Sequence, residues 1–457
     1  MFNVGMGNLW NDSVAWENLS QRLSDLGVKQ VHIKYLSRNH NSKNQIAGLG
    51  SDLSALGHLH PSEVTMHQPT SRKPKAGPPI YRTFLPWVWL SETGLSPAPE
   101  TKLIYYPQYP ELRLSGFLDS SPNAPRELLA FSSAPESRGQ EDGRVLIFGS
   151  SSDQKVYAAV VSAYSPAAAY LAPFNSGLGK LVSLKLGSEE TSKDILFREL
   201  RAIHEKDQIT AYRLHPDGSR SSCNAPNCHG VTLESELGIV ANGLAQPDFL
   251  DWEIKAHRVK HLNSHLSSRI TLLTPNPDSG EVKERGTTWL TQTYGNLSAT
   301  GERWDLSGIL KAGDLHEKTG LMFGMEGFDA ETRKITSDGF LYLRDPATDT
   351  ALGQWSFAKL LTHWQTKHAK AVFVPCVMHS EKPRVYQYGT KVHVGEGTSF
   401  IHFLNAVATK SVVLDPGLNT KLQADGSWKA HTRYQFRSSL SQASSLYRSF
   451  EKVDLTD

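Results

Sequence analysis

The chain has 457 residues, of which 39% are apolar and 21% charged, and its formal net charge is +2. This length predicts roughly two to three domains with full hydrophobic cores, and the composition is typical of a soluble globular protein. The absence of an apolar run of 18 residues excludes a transmembrane helix, and the first ten residues lack the pattern of a signal peptide. The balanced charge predicts no general affinity for polyanions, so a nucleic-acid site would have to be a local patch.

The three cysteines, Cys223, Cys228 and Cys376, are too few and too odd in number for a disulfide framework. We therefore expect a reducing compartment, the cytoplasm. "CNAPNC" has the C-x4-C spacing of a half zinc site, but no second pair follows it. Two unpaired loop cysteines are the favoured interpretation.

Residues 1–190 are predicted to be mainly β. One helix is indicated by the spacing of Leu19, Leu23 and Leu26. Short β-rich segments follow between clusters of Pro, Gly, Ser and Asn, a pattern typical of a small barrel or sandwich. They are "KQVHIKYL", "TKLIYYP", "ELRLSGFL", "GRVLIFG" and "KVYAAVV". Residues 67–79, rich in Pro and Lys, are predicted to be an exposed loop.

Residues 191–457 mix helices with strands and are predicted to form one α/β domain. Helical spacing appears in "ILFRELRAIHE", "TLESELGIV" and "WSFAKLLTHWQTKH", whereas "SRITLLTP" and "AKAVFVPCV" have the composition of buried strands. "PDFLDWEIKAHRV" is predicted to be a strand pair or a bent strand.

The segment "QPDFLDWEIK" (246–255) contains acids and a lysine within an otherwise apolar stretch. In a strand, Glu253 and Lys255 share one face, roughly 7 Å apart, while Trp252 and Ile254 face the core. A bend after Pro247 brings Asp248 beside Glu253. Two converging carboxylates suit Mg²⁺, and an adjacent ammonium suits hydrolysis of a phosphodiester by metal-activated water.

The same three residues also fit plainer interpretations. Asp-x4-Glu-x-Lys is a weak motif by itself, and an exposed Glu–Lys pair on a strand produces it without any catalytic role. Paired carboxylates also occur in carbohydrate-active enzymes, although the nearby lysine suits phosphate chemistry better.

The longer passage "HGVTLESELGIVANGLAQPDFLDWEIKAHR" resembles the catalytic core of the MvaI/BcnI restriction endonucleases, which are related to MutH-type nicking enzymes. The resemblance extends through "RITLLTPNPDSG", "WSFAKLLTHWQTKHAKAVFVPC" and "HTRYQFR", over about residues 195–457. It implies metal binding at Asp248, Glu253 and Ile254. It also implies catalytic roles for Asp248, Glu253, Lys255 and Glu234, of which Glu234 matches the acid that the family carries on this helix. An acid in the first turn of a helix is also favourable to the helix dipole, which is the alternative for Glu234.

One departure from the family pattern is His229, where a second glycine is usual. It lies in the loop predicted to precede the helix and leaves the acids and the lysine in place.

From this resemblance we expect an α/β nuclease domain of the PD-(D/E)xK type with a mixed central sheet. The implied function is that of a Mg²⁺-dependent type II restriction endonuclease. It would act as a monomer on double-stranded DNA at CCWGG, with CCSGG as the alternative, and leave 5′-phosphate and 3′-hydroxyl ends. A cognate methyltransferase would belong to the same system without being a physical partner. A MutH-like strand-nicking repair enzyme and a DNA-binding regulator with a silenced nuclease core remain the alternatives.

Base recognition in this domain is predicted for Arg433, Gln435 and Arg437 in "HTRYQFR". These residue types make bidentate contacts to guanine and adenine edges, and their alternation places them on one face of a strand. Phosphate contacts or ordinary surface charge are the alternative.

The amino-terminal domain resembles, more loosely, the DNA-binding pseudobarrel of EcoRII-type enzymes, and its pairing with an MvaI-like nuclease resembles type IIE restriction enzymes. By position, "RNHNSKNQ" (38–45) and "QYPELR" (108–113) correspond to two DNA-contacting arms. The residues implied are Asn41, Lys43, Glu111 and Arg113, and the domain would bind a second copy of the DNA or target the first. A solvated loop beside a packed aromatic strand is the alternative.

Overall fold

The computed structural model describes residues 10–39, 42–50, 53–68, 78–134, 137–174, 181–186, 191–240, 247–262, 269–365, 368 and 370–456. The chain divides into two compact units. The first comprises residues 1–67 and 80–199, and the second comprises residues 68–79 and 200–457. No helix in these described ranges is long and apolar enough to cross a membrane.

The first unit is mainly β, as predicted. Its helices and strands are α1 (Trp10–Ser13), α2 (Trp16–Asp25), β1 (Gln30–Leu36), β2 (Thr65–His67), β3 (Ile80–Phe84), β4 (Trp87–Ser91), β5 (Gly94–Pro97), β6 (Lys102–Tyr106), β7 (Glu111–Ser115), α3 (Arg126–Leu129), β8 (Arg144–Ser150), β9 (Val156–Val161), α4 (Pro166–Leu171) and β10 (Val182–Lys185). Short 3-10 helices cover Leu53–Leu59, Arg138–Gln140 and Ala172–Phe174.

Two sheets form this unit. The larger has the order β10-β1-β8-β9-β4-β5, and the smaller has the order β2-β3-β6-β7. Apolar side chains of α2 and α4, including Leu19, Leu23 and Leu171, pack in one core with Ile33 and Ile147 of the larger sheet. The five predicted β segments and the predicted helix are confirmed. Over the described residues neither sheet closes on itself, so the pseudobarrel stays a prediction.

Helix α5 (Ser192–Glu205) begins in the first unit and ends in the second. The described part of the second unit contains five further helices and many short strands. These elements are β11 (Ile209–Thr210), β12 (Tyr212–Leu214), β13 (Arg220–Ser222), α6 (Cys228–Glu236), β14 (Glu253–Arg258), β15 (Arg269–Leu273), α7 (Glu281–Tyr294), β16 (Asn296–Leu297), β17 (Arg303–Leu306), β18 (Met322–Asp329), β19 (Lys334–Asp345), β20 (Thr350–Ser356), α8 (Phe357–Gln365), β21 (Lys370–Glu381), β22 (Arg384–Tyr388), β23 (Lys391–Glu396), α9 (Phe400–Ala408), β24 (Val412–Pro416), β25 (Leu418–Leu422), β26 (Trp428–His431), β27 (Tyr434–Ser439), α10 (Leu440–Ala443) and β28 (Ser449–Asp454). A 3-10 helix covers Ser444–Leu446.

The mixed central sheet predicted for this unit is present. Strand β21 pairs in parallel with β14 and antiparallel with β22 and β23, and β28 continues the sheet beyond β23. Because Ala371, Val372 and Phe373 of β21 pair with both β14 and β23, those two strands lie on opposite sides of β21. Strand β14 therefore has a buried neighbour that fixes its register.

The helices and strands predicted for this region are confirmed by α5, α6, α8, β15 and β21. The apolar stripe of α8 is buried, and its Trp364 packs against Phe403 of α9 at 4.7 Å between ring centroids. Phe403 in turn contacts Phe436 of β27. This aromatic cluster joins α8 and α9 to the three-stranded sheet β15-β27-β24. Of the predicted exposed loop, residues 69–77 lie outside the described residues.

Candidate functional site

A tight turn before β14 folds Asp248 back towards Glu253. The N–H of Phe249 donates to the carbonyl of Trp252 at 3.0 Å, and the N–H of Trp252 donates to the carbonyl of Phe249 at 2.9 Å. Leu250 within the turn has φ of 55°, a conformation that costs a non-glycine residue about 1–2 kcal/mol. The bend predicted after Pro247 is thus a defined turn held by two main-chain hydrogen bonds.

The Asp248 carboxylate is fixed at the first residues of β14. Its Oδ2 accepts a hydrogen bond from the main-chain N–H of Ile254 at 3.0 Å. That N–H directly follows Glu253 in the chain, so the two acidic side chains are held at the same end of the strand. The structure brings together the two carboxylates that the sequence places five residues apart.

Glu253 is the most enclosed acid of the site. Its side chain has no exposed surface, and its Oε1 accepts a hydrogen bond from Nζ of Lys255. Its Oε2 is buried and has no hydrogen-bond partner among the described residues. Burial of a carboxylate without a cationic partner is very unfavourable. The ion pair with Lys255 therefore offsets the desolvation cost of the buried Glu253 side chain.

Lys255 experiences the field of three acids. Burial lowers the pKa of its ammonium, but Glu253, then Asp248 and Glu234 act in the opposite direction and raise the pKa above its ordinary value. Lys255 is therefore a cation throughout the neutral range. Because Glu234 contributes to this shift, it is electrostatically part of the same site.

Glu234 lies on α6, which packs against β14. The side chain of Thr232 accepts from the N–H of Tyr212 at 3.3 Å, and that of Ser235 accepts from the N–H of Leu214 at 3.0 Å, so β12 holds the helix. The expectation that Glu234 lies in the first helical turn is wrong, because α6 already begins at Cys228. The interaction with the helix dipole therefore does not explain this acid.

The expectation of two unpaired loop cysteines is also wrong. Cys228 is the first residue of α6, and it is joined to Cys223 by a disulfide whose Cα atoms are 5.7 Å apart. The bond closes a short loop onto the start of the helix that carries Glu234. The third cysteine, Cys376, is free and buried in β21.

A second ion pair, which the sequence interpretation missed, anchors the turn to the neighbouring strand. Nζ of Lys370 at the start of β21 lies 2.6 Å from Oδ2 of Asp251, which is buried. The same ammonium lies over the ring of Trp252, 5.5 Å from its centroid. Asp251 stands between the two predicted acids in the printed sequence, but its role depends on a partner 119 residues away.

A third polar side chain of β14, His257, is buried. In a strand it faces the same side as Glu253 and Lys255. It is 3% exposed, and neither ring nitrogen has a hydrogen-bond partner among the described residues. Burial, together with His393 and His229, lowers its pKa to about 3, so this imidazole is neutral at physiological pH. The sequence offered no signal for it beyond the period of the strand.

The donor set is compatible with a hard divalent cation. Asp248, Glu253 and Glu234 surround a single ammonium, so the site carries excess negative charge. No group of three or more His, Cys, Asp or Glu side chains within the described ranges is arranged to hold a metal ion. Two carboxylates and a main-chain carbonyl are nevertheless sufficient for Mg²⁺, which retains water and substrate oxygens in its octahedral shell. Ile254 can contribute only its carbonyl oxygen.

The predicted base-reading residues lie on or beside β27. Gln435 and Arg437 are half-buried and alternate with buried Tyr434 and Phe436, whereas exposed Arg433 precedes the strand by one residue. Arg437 is held at 2.6 Å by the carboxylate of Asp415. Gln435 accepts a hydrogen bond from Thr271 at 3.3 Å.

In the first unit, Glu111 and Arg113 form a half-buried ion pair with 2.6 Å between Oε2 and Nη2. Both line a cavity of about 550 Å³, which is also lined by Lys34, Arg38 and Arg144. Burial lowers the pKa of Lys34, whose ammonium donates to the carbonyl of Gly48 at 3.2 Å. Four cationic side chains against one carboxylate give the cavity a basic lining.

The remaining two residues predicted for this surface are Lys43 and Asn41. Lys43 is exposed, and Asn41 lies outside the described residues.

The family model of the MvaI/BcnI restriction endonuclease family matches residues 197–447, which is more than half of the chain. A solved structure entitled "Restriction endonuclease MvaI-cognate DNA substrate complex" is 16% identical, covers 58% of this chain and 99% of its own, and has a TM-score of 0.44. "Restriction endonuclease MvaI in the absence of DNA" is 17% identical with the same coverage and a TM-score of 0.33. The comparison with curated proteins gives no match.

The buried neutral state of His257 predicts acid sensitivity. An unfolded chain protonates its histidine near pH 6.5, whereas folded His257 resists protonation until about pH 3. Its contribution to the free energy of unfolding should therefore fall by about 1.4 kcal/mol per pH unit as the pH drops between these values. Chemical denaturation at several pH values should show a smaller slope in His257→Gln.

Replacement of the exposed His431 by Gln is the matched control and should leave the slope of the wild-type protein unchanged. A slope in His257→Gln equal to that of the wild type would contradict the assignment of His257 as a buried neutral group.

Proposed function

The chain belongs to the MvaI/BcnI restriction endonuclease family and is a site-specific deoxyribonuclease, and from that premise we propose how it cuts DNA. The proposal is Mg²⁺-dependent hydrolysis of both strands at a short pseudo-palindrome, CCWGG. The observation that carries it is the turn that holds Asp248 beside Glu253 while Lys255 pairs with Glu253. Two carboxylates and an ammonium in this arrangement suit phosphodiester hydrolysis by metal-activated water.

In this proposal Asp248, Glu253 and the carbonyl of Ile254 hold the cation, which supplies Lewis acidity and an activated water when it is bound. Lys255 orients the attacking water and offsets charge that develops on the phosphate oxygens. The ion pair between this ammonium and Glu253 supports that role. Glu234 on α6 contributes further negative charge to the same site. The products would be a 5′-phosphate and a 3′-hydroxyl.

Sequence recognition is proposed for Arg433, Gln435 and Arg437. Asp415 and Thr271 restrain Arg437 and Gln435 before DNA arrives, which reduces the conformational entropy lost on binding. Arg433 is exposed and can reach a base edge or a phosphate.

For the first unit we propose contact with a second copy of the DNA. The basic lining of its cavity, to which Glu111 and Arg113 of the second predicted arm contribute, supports this role. Phosphate attraction to Lys34, Arg38 and Arg113 would supply affinity, and the Glu111–Arg113 pair would supply donors and an acceptor for base edges. The two proposals are independent, because the cutting site lies wholly in the second unit.

Substitution of the buried acid should abolish cleavage. Glu253→Gln keeps the side-chain volume but removes the negative charge, so we expect cleavage of unmethylated plasmid in Mg²⁺ to fall by roughly 10³-fold or more. Glu451→Gln, at an exposed acid of β28 in the same sheet, should cut as the wild type does. Sequencing of the product ends should give CCWGG.

Cleavage by Glu253→Gln at the wild-type rate would contradict the proposed site. Accumulation of nicked circles without linear product in the wild type would instead support the strand-nicking alternative. DNA binding by the wild type without any cleavage would support a silenced nuclease core.

Binding of a second DNA copy should depend on Arg113. Removal of a bidentate donor costs about 1–3 kcal/mol, so Arg113→Ala should weaken the second binding event roughly 10- to 100-fold in a stoichiometric titration with an oligonucleotide. Arg138→Ala is the matched control, because Arg138 is also a half-buried arginine paired with a carboxylate at 2.6 Å in the first unit. Two equally tight binding events in both variants would contradict a DNA-binding role for Arg113.

A further inference from the structure

Beside Glu253, the central sheet carries two unusually small residues in one row. Glu253 of β14 is in register with Ala371 of β21, and Ala371 is in register with Gly395 of β23. Residues in register on neighbouring strands present their side chains on the same face. A strip of space therefore extends across the sheet from the Glu253 carboxylate.

The ring of Tyr447 fills this strip. A Cβ atom placed on Gly395 would lie only 2.7 Å from the Tyr447 ring, so the ring lies directly on that glycine. It also packs near Phe373 and Phe450, with ring centroids 6.2 and 5.9 Å away. Tyr447 follows the last 3-10 helix and is 5% exposed. Its ring lies on the face that bears Glu253.

Tyr447 and Glu253 have complementary unmet hydrogen-bonding requirements. The Tyr447 hydroxyl is buried without a hydrogen-bond partner in the described part of the chain, and so is Oε2 of Glu253. Burial, and then the Glu253 carboxyl group, raise the pKa of Tyr447, so the phenol remains a neutral donor. Buried polar groups are rarely left unpaired, and a single water between two of them satisfies both.

We propose that Tyr447 is a positioning residue whose hydroxyl donates to one buried water, which in turn donates to Oε2 of Glu253. The inference rests on the proposed function, since it assigns a purpose to the orientation of Glu253. With Oε2 held by this water, Oε1 is the oxygen left for Lys255 or for a divalent cation. A phenol orients the carboxylate without adding a second positive charge, which a lysine at this position would do.

Such an outer hydrogen bond has a measurable consequence for metal affinity. Partners that orient a ligating carboxylate typically contribute 10- to 100-fold to metal affinity or activity. Tyr447→Phe keeps the ring on Gly395 and removes only the hydroxyl. We therefore expect Mn²⁺ to bind the full-length protein roughly 10- to 100-fold more weakly in this variant, with the thermal unfolding midpoint unchanged.

The test is a titration of Mn²⁺ into the DNA-free protein, followed by calorimetry or by the loss of the free-ion paramagnetic resonance signal. Cleavage assays across a range of Mg²⁺ concentrations should show a matching shift in the half-saturating concentration. Tyr386→Phe is the control, because Tyr386 lies in β22 of the same sheet and its buried hydroxyl also has no partner among the described residues. This control should bind Mn²⁺ as the wild type does.

Equal Mn²⁺ affinity in Tyr447→Phe and the wild type, with both cutting DNA, would overturn the role of Tyr447 and leave the proposed function intact. Equal losses in Tyr447→Phe and Tyr386→Phe would also overturn it, because the effect would then be that of any buried hydroxyl. A wild-type protein that neither binds Mn²⁺ nor cuts DNA would overturn the proposed function, and the positioning role with it.

Discussion

A carboxyl group with no exposed surface, paired with one ammonium on the same strand face, is the constraint around which the catalytic unit is arranged. Glu253 can be buried only because Lys255 lies beside it, and loss of either partner would leave an uncompensated charge in the interior. The turn before β14, the parallel pairing with β21 and the packing of α6 all fix this pair in place. Folding and the proposed chemistry therefore depend on the same interaction.

The acidic side chains of the site outnumber its basic ones. Three acids, Asp248, Glu253 and Glu234, act on a single lysine, which leaves the cluster with more negative than positive charge. A divalent cation would compensate this excess of negative charge. His257, on the same face of β14, is neutral and has no hydrogen-bond partner in the described residues, so it adds no charge to this cluster. Negative charge is thus concentrated at the end of β14 where Asp248 joins Glu253.

The sequence predicted what depends on short-range periodicity. The alternation of side chains along a strand predicted that Glu253 and Lys255 share one face of β14. The spacing of apolar residues predicted helices α5 and α8. It did not predict what depends on register between distant strands. Tyr447 meets the site only because Gly395 and Ala371 align with Glu253, and Asp251 has a role only through Lys370. The sequence predicted neither the start of α6 at Cys228 nor the disulfide between Cys223 and Cys228. The segment "CNAPNC", with its Asn and Pro residues, has the composition of a loop.

In the proposed site Asp248 and Glu253 share one divalent cation beside Lys255. The most direct measurement is a crystal structure of the protein with CCWGG DNA and Mn²⁺, with the metal located by its anomalous signal. We expect one Mn²⁺ ion with an oxygen of each carboxylate about 2.0–2.3 Å away and a DNA phosphate oxygen in the same coordination shell. An ion bound elsewhere, or a scissile phosphate remote from Lys255, would contradict it.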